Sequence, residues 1–439
     1  MAKNPIIEMV EARARGERVG IPSYCTANAL VIEALLEQGK RFDAPVLLEA
    51  TANQVNQFGG YTGMQPADYR DFVYEIADRV GFPREKIILG GDHLGPLTWA
   101  KEPEASAMEK ARALVRLFVL AGYKKIHLDT SMRLGDDPAD QPLSDETIAR
   151  RGAELYAVCE AAWRELCEKN PQELHPAFII GSEVPIPGGA TEAEDAVAVT
   201  KVEALERTLK VYRETFARAG LEDAFDHIAG VVVQPGVEFG DDEIHHYDRE
   251  RAAALCAAAR AQKGVVLEGH STDYQSPAHL KQMVEDGVAI LKVGPALTYA
   301  LREGLFALSA MEKVLVPEGA RANFIELLER TMLDAPENWA RHYHGDEHAL
   351  WLKRKFSFSD RCRYYFALPE IAGAMDRLIG NINSVKIPLS MLHQYMPMQY
   401  GLVRDGELPC EARALLLDCV RVMADDYNYA VGNLNQIGR

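Results

Sequence analysis

The segment Gly90-Gly91-Asp92-His93-Leu94-Gly95-Pro96 sets a carboxylate directly beside an imidazole at the end of an apolar run. Such a pair offers a general base next to a metal-binding nitrogen, and the flanking glycines permit close approach of backbone to a ligand. Taken alone, the pair also reads as a hydrogen-bonded strand end. Further along, apolar runs end in His127-Leu128-Asp129, in Ser182-Glu183, in Gln234 and in Glu268-Gly269-His270. Polar groups at so many run ends are costly to bury without a ligand, which predicts that they converge on one mouth. A divalent cation held by His93 and His270, with one or two of Glu183, Glu268 and Gln234, suits the ligand preferences of zinc first, and of manganese, cobalt or nickel; no cysteine lies in the set. Alternation puts His127 and Asp129 on one face. A buried Asp129 then needs a partner or a ligand, whereas His127, deeper along its run, reads as a satisfied core histidine.

Other residues could hold an anion. Asn53 and Gln54 open a stretch to Met64 that is too rich in amides and glycines to be a packing element, and such loops usually bind something. Ser131 follows Asp129 on the same rim. Gly269, Ser271, Thr272 and Gly294 offer amides and hydroxyls where βα barrels commonly seat phosphate; a plain strand-to-helix turn is the competing view. Between Lys353 and Tyr365, serines, arginines and tyrosines interleave, and Arg361 is the candidate anion contact there. The same stretch also reads as a helix capped by Ser359 or Asp360. The run Leu392 to Tyr400 reads as packing or subunit contact, predicting a homo-oligomer, and His342, His344 and His348 read as exposed.

Eight short apolar runs must carry these groups: Gly20 to Tyr24, Pro45 to Glu49, Ile87 to Asp92, Lys125 to Asp129, Phe178 to Glu183, Ile228 to Gln234, Val265 to Glu268 and Ala289 to Val293. Helix-length amphipathic stretches separate them. That alternation predicts an α/β fold, a (β/α)8 TIM barrel over 1–316, with reactive side chains at the strands' C-terminal ends. The rest, 317–439, reads as a helical C-terminal extension packed on the barrel. With 439 residues, 48% hydrophobic, the chain can bury a core of that size. A net charge of −17 disfavours nucleic acid and anionic membrane, and any phosphorylated substrate then needs a local basic or amide site. The first twenty residues lack the apolar stretch of a signal peptide, no 18-residue apolar run exists, and seven cysteines have no paired spacing; a cytoplasmic protein is expected.

The strings GGDHLGP, HLDTSM, GSEVPIPGG, LEGHSTDYQ, KVGPALTYALREGLFAL, FSFSDRCRYYF and LHQYMPMQY, in that order over roughly residues 5 to 430, resemble the GatZ/KbaZ family, distant relatives of the class II, metal-dependent ketose-bisphosphate aldolases. The resemblance implies one of two functions. One is a tagatose 6-phosphate/fructose 6-phosphate 4-epimerase; the other is a non-catalytic subunit that stabilises a class II tagatose-1,6-bisphosphate aldolase. In the aldolases an Asp-His pair supplies the base and one zinc ligand, a pattern that falls on Asp92 and His93. Two further histidines are implied near the ends of strands six and seven, where this chain has Gln234, and Glu268 with His270. An epimerase can use the same chemistry, breaking and remaking the C3–C4 bond of the sugar, with Asp92 as proton carrier and Asp129 or Glu183 as a second acid/base. Oxidation at C4 through a nicotinamide finds no support, since no glycine fingerprint follows the first run.

Overall fold

A computed structural model describes residues 3–184, 197–262 and 264–437. Eight parallel strands close a barrel in chain order: β1 (Ile21–Cys25), β2 (Val46–Thr51), β3 (Ile87–Leu94), β4 (Lys125–Leu128), β5 (Ala177–Ile180), β6 (Ile228–Val233), β7 (Val266–Gly269) and β8 (Val288–Val293). The ring closes where β8 returns to β1, with Ile21 opposite Ile290 and Tyr24 opposite Val293. Nearly every strand residue is buried. Parallel strands covered on both faces have no solvent side, which is why the sequence shows continuous apolar runs rather than alternation. The strand β5 stops at Ile180, before the carboxylate of Glu183.

The helices begin with α1 (Pro5–Ala14), followed by α2 (Ala29–Phe42), α3 (Pro66–Val80), α4 (Glu104–Leu120), α5 (Asp145–Lys169), α6 (Val202–Arg218), α7 (Arg249–Ala261), α8 (Pro277–Asp286) and α9 (Pro295–Leu315). Side-chain caps start several of them: Asn28 accepts from the amides of Leu30 and Val31, and Ser144 from Thr147. The first helix plugs the lower mouth. Its Ile6 and Val10 pack among Leu47, Ile88, Ile179 and Ile290, and Asn4 ties it down by donating to the carbonyls of Lys124 (2.7 Å) and His175 (2.9 Å). Apolar side chains thereby close the lower mouth, leaving the upper mouth for polar chemistry.

After α9 come α10 (Phe324–Asp334), α11 (Glu347–Phe356), α12 (Pro369–Asn383), α13 (Leu389–Tyr395), α14 (Pro397–Arg404) and α15 (Ala412–Ala430). They wrap the barrel. In α15, Arg413 pairs with Glu33 of α2, Arg421 with Glu37 (3.1 Å), and the Tyr427 hydroxyl donates to the Thr272 carbonyl (3.0 Å). The stretch 361–365 is a short 3-10 turn. Neither Ser359 nor Asp360 caps it: Asp360 instead pairs with Arg302 of α9 (3.2 Å) and accepts from Thr298 (2.6 Å), clamping the segment over the mouth. All seven cysteines are free, and no described helix is long and apolar enough to cross a membrane.

Candidate active site

The end of β3 explains its own sequence. Gly90 faces inward, where a Cβ would stand 2.5 Å from Glu49 Oε1, and a Cβ on Gly91 would meet Leu94 at 2.4 Å. Both glycines therefore make room for neighbouring side chains, not for a ligand. Strand alternation should send Asp92 and His93 to opposite faces. It does not, because His93 takes a left-handed conformation (φ 47) and the ladder to β4 slips between Gly91 and Leu94. Such a backbone costs a non-glycine residue about 1–3 kcal/mol and persists where neighbours hold it. Here Asp129 Oδ2 lies 2.9 Å from His93 Nδ1.

The slip assembles a cluster. The rings of His93, His127 and His270 form a near-equilateral triangle, with centroids 5.0, 4.9 and 5.2 Å apart. With Asp92, one nitrogen or oxygen from each residue lies within 4.8 Å of every other, and all four residues are buried. His127 is thus part of the site, which corrects the reading of it as a satisfied core histidine. Its Nδ1 stands 3.0 Å from Asp92 Oδ1, but its buried Nε2 has no partner. Inward alternation shared with Asp129 was the signal that could have found it. The donor set, three imidazoles and a carboxylate around an unsatisfied nitrogen, fits a borderline divalent ion such as zinc.

Below the cluster runs a chain of buried charges of which sequence reasoning had singled out Glu268 alone, and as a cation ligand. Lys292 contacts Glu49 and stands 3.0 Å from Asp92 Oδ2; Lys125 approaches Glu49 (2.7 Å) and Glu268 (2.8 Å) at ion-pair distance, off the hydrogen-bond axis. Glu268 in turn lies 2.9 Å from His270 Nε2. The sequence clue to its cations was a lysine inside each of two apolar runs. Burial alone would raise the Asp92 carboxyl, yet His93, His127 and His270 hold it far below the usual carboxylate range. Burial would likewise lower His93, but Asp92 and Asp129 push it up to about 8. For His270 burial prevails, and its basicity falls.

The remaining candidates divide. Asn53, Gln54, Ser271 and Gly294 line the cleft above His93 and His270. Gln234 does not join the cation set: its Oε1 accepts from the amides of Gly236 (2.8 Å) and Val237 (3.0 Å), closing a turn. Glu268 points to Lys125 and His270, so it orients an imidazole from behind. Asp129 is spent on His93 and on Ser131, whose hydroxyl it binds at 2.7 Å; neither lines the cleft. Glu183 is exposed and accepts from Thr200 (2.8 Å), apart from the cluster; the rest of its motif, 185–189, lies outside the described residues. Gly269 belongs to β7, with Met283 and Val288 against it, and Thr272 donates to the Lys292 carbonyl (2.6 Å). Arg361 turns away to Asn338, and Arg363, two residues on, is the arginine that lines the cleft, with Tyr61 and Tyr364. The Gly294 amide is already taken by Asp273 (3.0 Å).

A family model described as D-tagatose-1,6-bisphosphate aldolase subunit GatZ/KbaZ-like matches residues 6–432. The chain is 46% identical to a solved protein of Sinorhizobium meliloti 1021 described as a probable tagatose 6 phosphate kinase, with TM-score 0.85, covering 94% of this chain and 100% of that one. The YdjI aldolase of Escherichia coli K12 is matched at 11% identity and TM-score 0.41, over 88% of this chain and 100% of that one. A fructose-bisphosphate aldolase of Campylobacter jejuni is matched at 15% and 0.42, over 86% and 92%. Barrel, tail and motifs are matched as one continuous stretch, and the chain belongs to the GatZ/KbaZ-like family.

Proposed function

We propose that this chain is a metal-dependent ketose-phosphate 4-epimerase that interconverts D-tagatose 6-phosphate and D-fructose 6-phosphate. The observation that carries the reading is the imidazole triangle beside Asp92, with the His127 Nε2 left unpartnered. A protein kept only for support has little physical reason to hold so many ionisable groups in one barrel mouth. His93, His127 and His270 would hold the cation, with Asp92 beside them as the base. When bound, a divalent ion supplies Lewis-acid polarisation of the ketose carbonyl.

The protein's own groups do the rest. Asp92, kept ionised by its imidazole neighbours, takes the C4 hydroxyl proton as the C3–C4 bond breaks, leaving an enediolate and a three-carbon aldehyde. The aldehyde turns, the enediolate adds to its other face, and Asp92 returns the proton to the inverted C4 oxygen. Arg363 holds the phosphate so that the aldehyde stays bound while it turns. Tyr61 and Tyr364, packed edge to face at 4.9 Å, wall the cleft and keep water from the fragments.

The family's description as an aldolase subunit favours a second reading, in which the chain stabilises a class II aldolase and turns nothing over. One assay separates them. Purified protein, stripped and resupplied with zinc, manganese, cobalt or nickel, is expected to convert fructose 6-phosphate to tagatose 6-phosphate with no second protein present. Absence of conversion with every metal would leave the stabilising role standing.

Metal uptake should also depend on pH in a defined window. In the metal-free protein the His93 proton is retained up to about 8, above the ordinary histidine value of 6.5. A raised imidazole contributes stability that is complete below 6.5 and disappears as pH rises through 8, about 2 kcal/mol over the interval. An incoming cation must displace that proton, so its affinity should gain roughly a decade per pH unit up to 8 and then level off. Calorimetric titrations of zinc in buffers of differing ionisation heat would count the proton released; uptake independent of pH between 6 and 9 would contradict the assignment of His93.

A further inference from the structure

The first turn of α9 is the place where a barrel of this kind could receive a phosphate, with amides pointing into the cleft and the helix dipole behind them. In this chain the position is filled from within. The amides of Gly294 (3.0 Å) and Ala296 (2.9 Å) both donate to Asp273 Oδ1, and Pro295 between them has no N–H to offer. The Asp273 side chain is buried against the cleft wall beside Ser271.

The loop that carries Asp273 cannot easily swing it aside. Thr272 donates to the Lys292 carbonyl (2.6 Å) and its own carbonyl accepts from Tyr427 (3.0 Å), while Tyr274 donates to the Phe358 carbonyl (2.6 Å). The carboxylate is thus pinned on both sides. A phosphate seeking the same amides would have to displace a tethered acceptor and then sit against its charge, and like charges brought together cost several kcal/mol. By contrast, Arg363 gives its hydrogen bonds to the Ser359 and Asp360 carbonyls and the Tyr364 hydroxyl, all neutral acceptors, and keeps its positive charge for the cleft. Lys292, the other cation in the wall, is already engaged by Glu49 and Asp92.

We propose that Asp273 is a specificity-determining residue: by occupying the amide pair at the start of α9 it closes a second phosphate seat, so that the cleft takes ketoses with one anionic group, held by Arg363, and refuses bisphosphates. The identification of the ligand as a ketose rests on the function proposed above, but the occupancy of the two amides does not.

The test compares wild type, Asp273→Ala and Asp273→Asn with three probes: inorganic phosphate, fructose 6-phosphate and fructose 1,6-bisphosphate. Wild type is expected to bind the monophosphate roughly 100-fold more tightly than the bisphosphate, and phosphate-soaked crystals should show phosphate at Arg363 but none at the Gly294 and Ala296 amides. Asp273→Ala opens the amides, admits a second phosphate there and brings the bisphosphate to parity or better. Asp273→Asn, whose side-chain oxygen still fills the pair, should keep most of the preference. Should Asp273→Ala not fold, the wild-type affinities and the phosphate positions still decide. Phosphate on the amides with Asp273 in place, equal binding of the two sugars by wild type, or no phosphate on the amides of a folded Asp273→Ala protein would each overturn the proposal. If neither sugar binds while inorganic phosphate follows the expected pattern, the ketose reading fails and the role of Asp273 stands.

Discussion

Replacing Asp92 by asparagine is expected to lower epimerisation by roughly 10²- to 10⁴-fold, the range that a positioned proton carrier commonly supplies. Asparagine keeps the shape of the side chain and its oxygen toward His127, while removing the charge that accepts the C4 proton. The three imidazoles remain, so the variant should still take up close to one equivalent of zinc. Lys292 also keeps Glu49 as a counter-charge, which limits the structural penalty. Turnover and metal content must therefore be measured on the same preparation. Undiminished turnover with full metal occupancy would remove Asp92 from the reaction; joint loss of metal and turnover would recast it as a ligand. Because the Asp92 carboxyl is held far below its ordinary range, its ionised form persists through neutral and mildly acidic pH. The contribution of that charge to stability is present above the unfolded value of about 3.9 and is lost only as pH falls through the depressed folded value.

The second large effect concerns stability. A Lys125→Met protein should be less stable by roughly 3–5 kcal/mol, because Lys125, Glu49 and Glu268 are wholly inaccessible to water and removing the cation leaves two buried carboxylates short of one counter-charge. Neither carboxylate is left entirely alone, since Glu49 still meets Lys292 and Glu268 still meets His270, and rearrangement through those contacts should disturb the imidazole triangle. The expected signature is a lowered denaturation midpoint accompanied by weaker metal binding. A double variant, Lys125→Met with Glu268→Gln, should recover part of the loss, since it removes one of the stranded charges. Denaturant unfolding of the single and double variants measures both numbers; a single variant within about 1 kcal/mol of wild type would show that the charges below the site are not interdependent.

Much of the fold could be read from the chain because a parallel barrel writes itself locally. Each strand is covered on both faces, so it appears as a short apolar run, and the helices between announce themselves by period, several also by a cap. Asp92, His93 and His270 could be read for a related reason: polar groups at the ends of apolar runs are conspicuous. Glu183 and Gln234 satisfied the same rule and misled. Glu183 follows a strand that ends too early to bring it into the mouth, and Gln234 spends its oxygen on two backbone amides that no spacing rule reveals. Arg361 and Arg363 are nearly equivalent in sequence, and only the fold of the 3-10 turn decides which one faces the cleft.

The sequence by itself determined the barrel, the appended helices, the family and the rim on which polar groups gather, since these follow from hydrophobic period, run length and motif order. The tertiary structure alone decided that His127 joins His93 and His270, that two lysines and two glutamates form a charged floor beneath them, and that Asp273 fills the amides at the start of α9. Each of these depends on where strands distant in the chain stand relative to one another around a closed ring, and on a single left-handed residue that redirects a side chain. Burial, charge pairing and aim are properties of that three-dimensional arrangement, and no local pattern of residues encodes them.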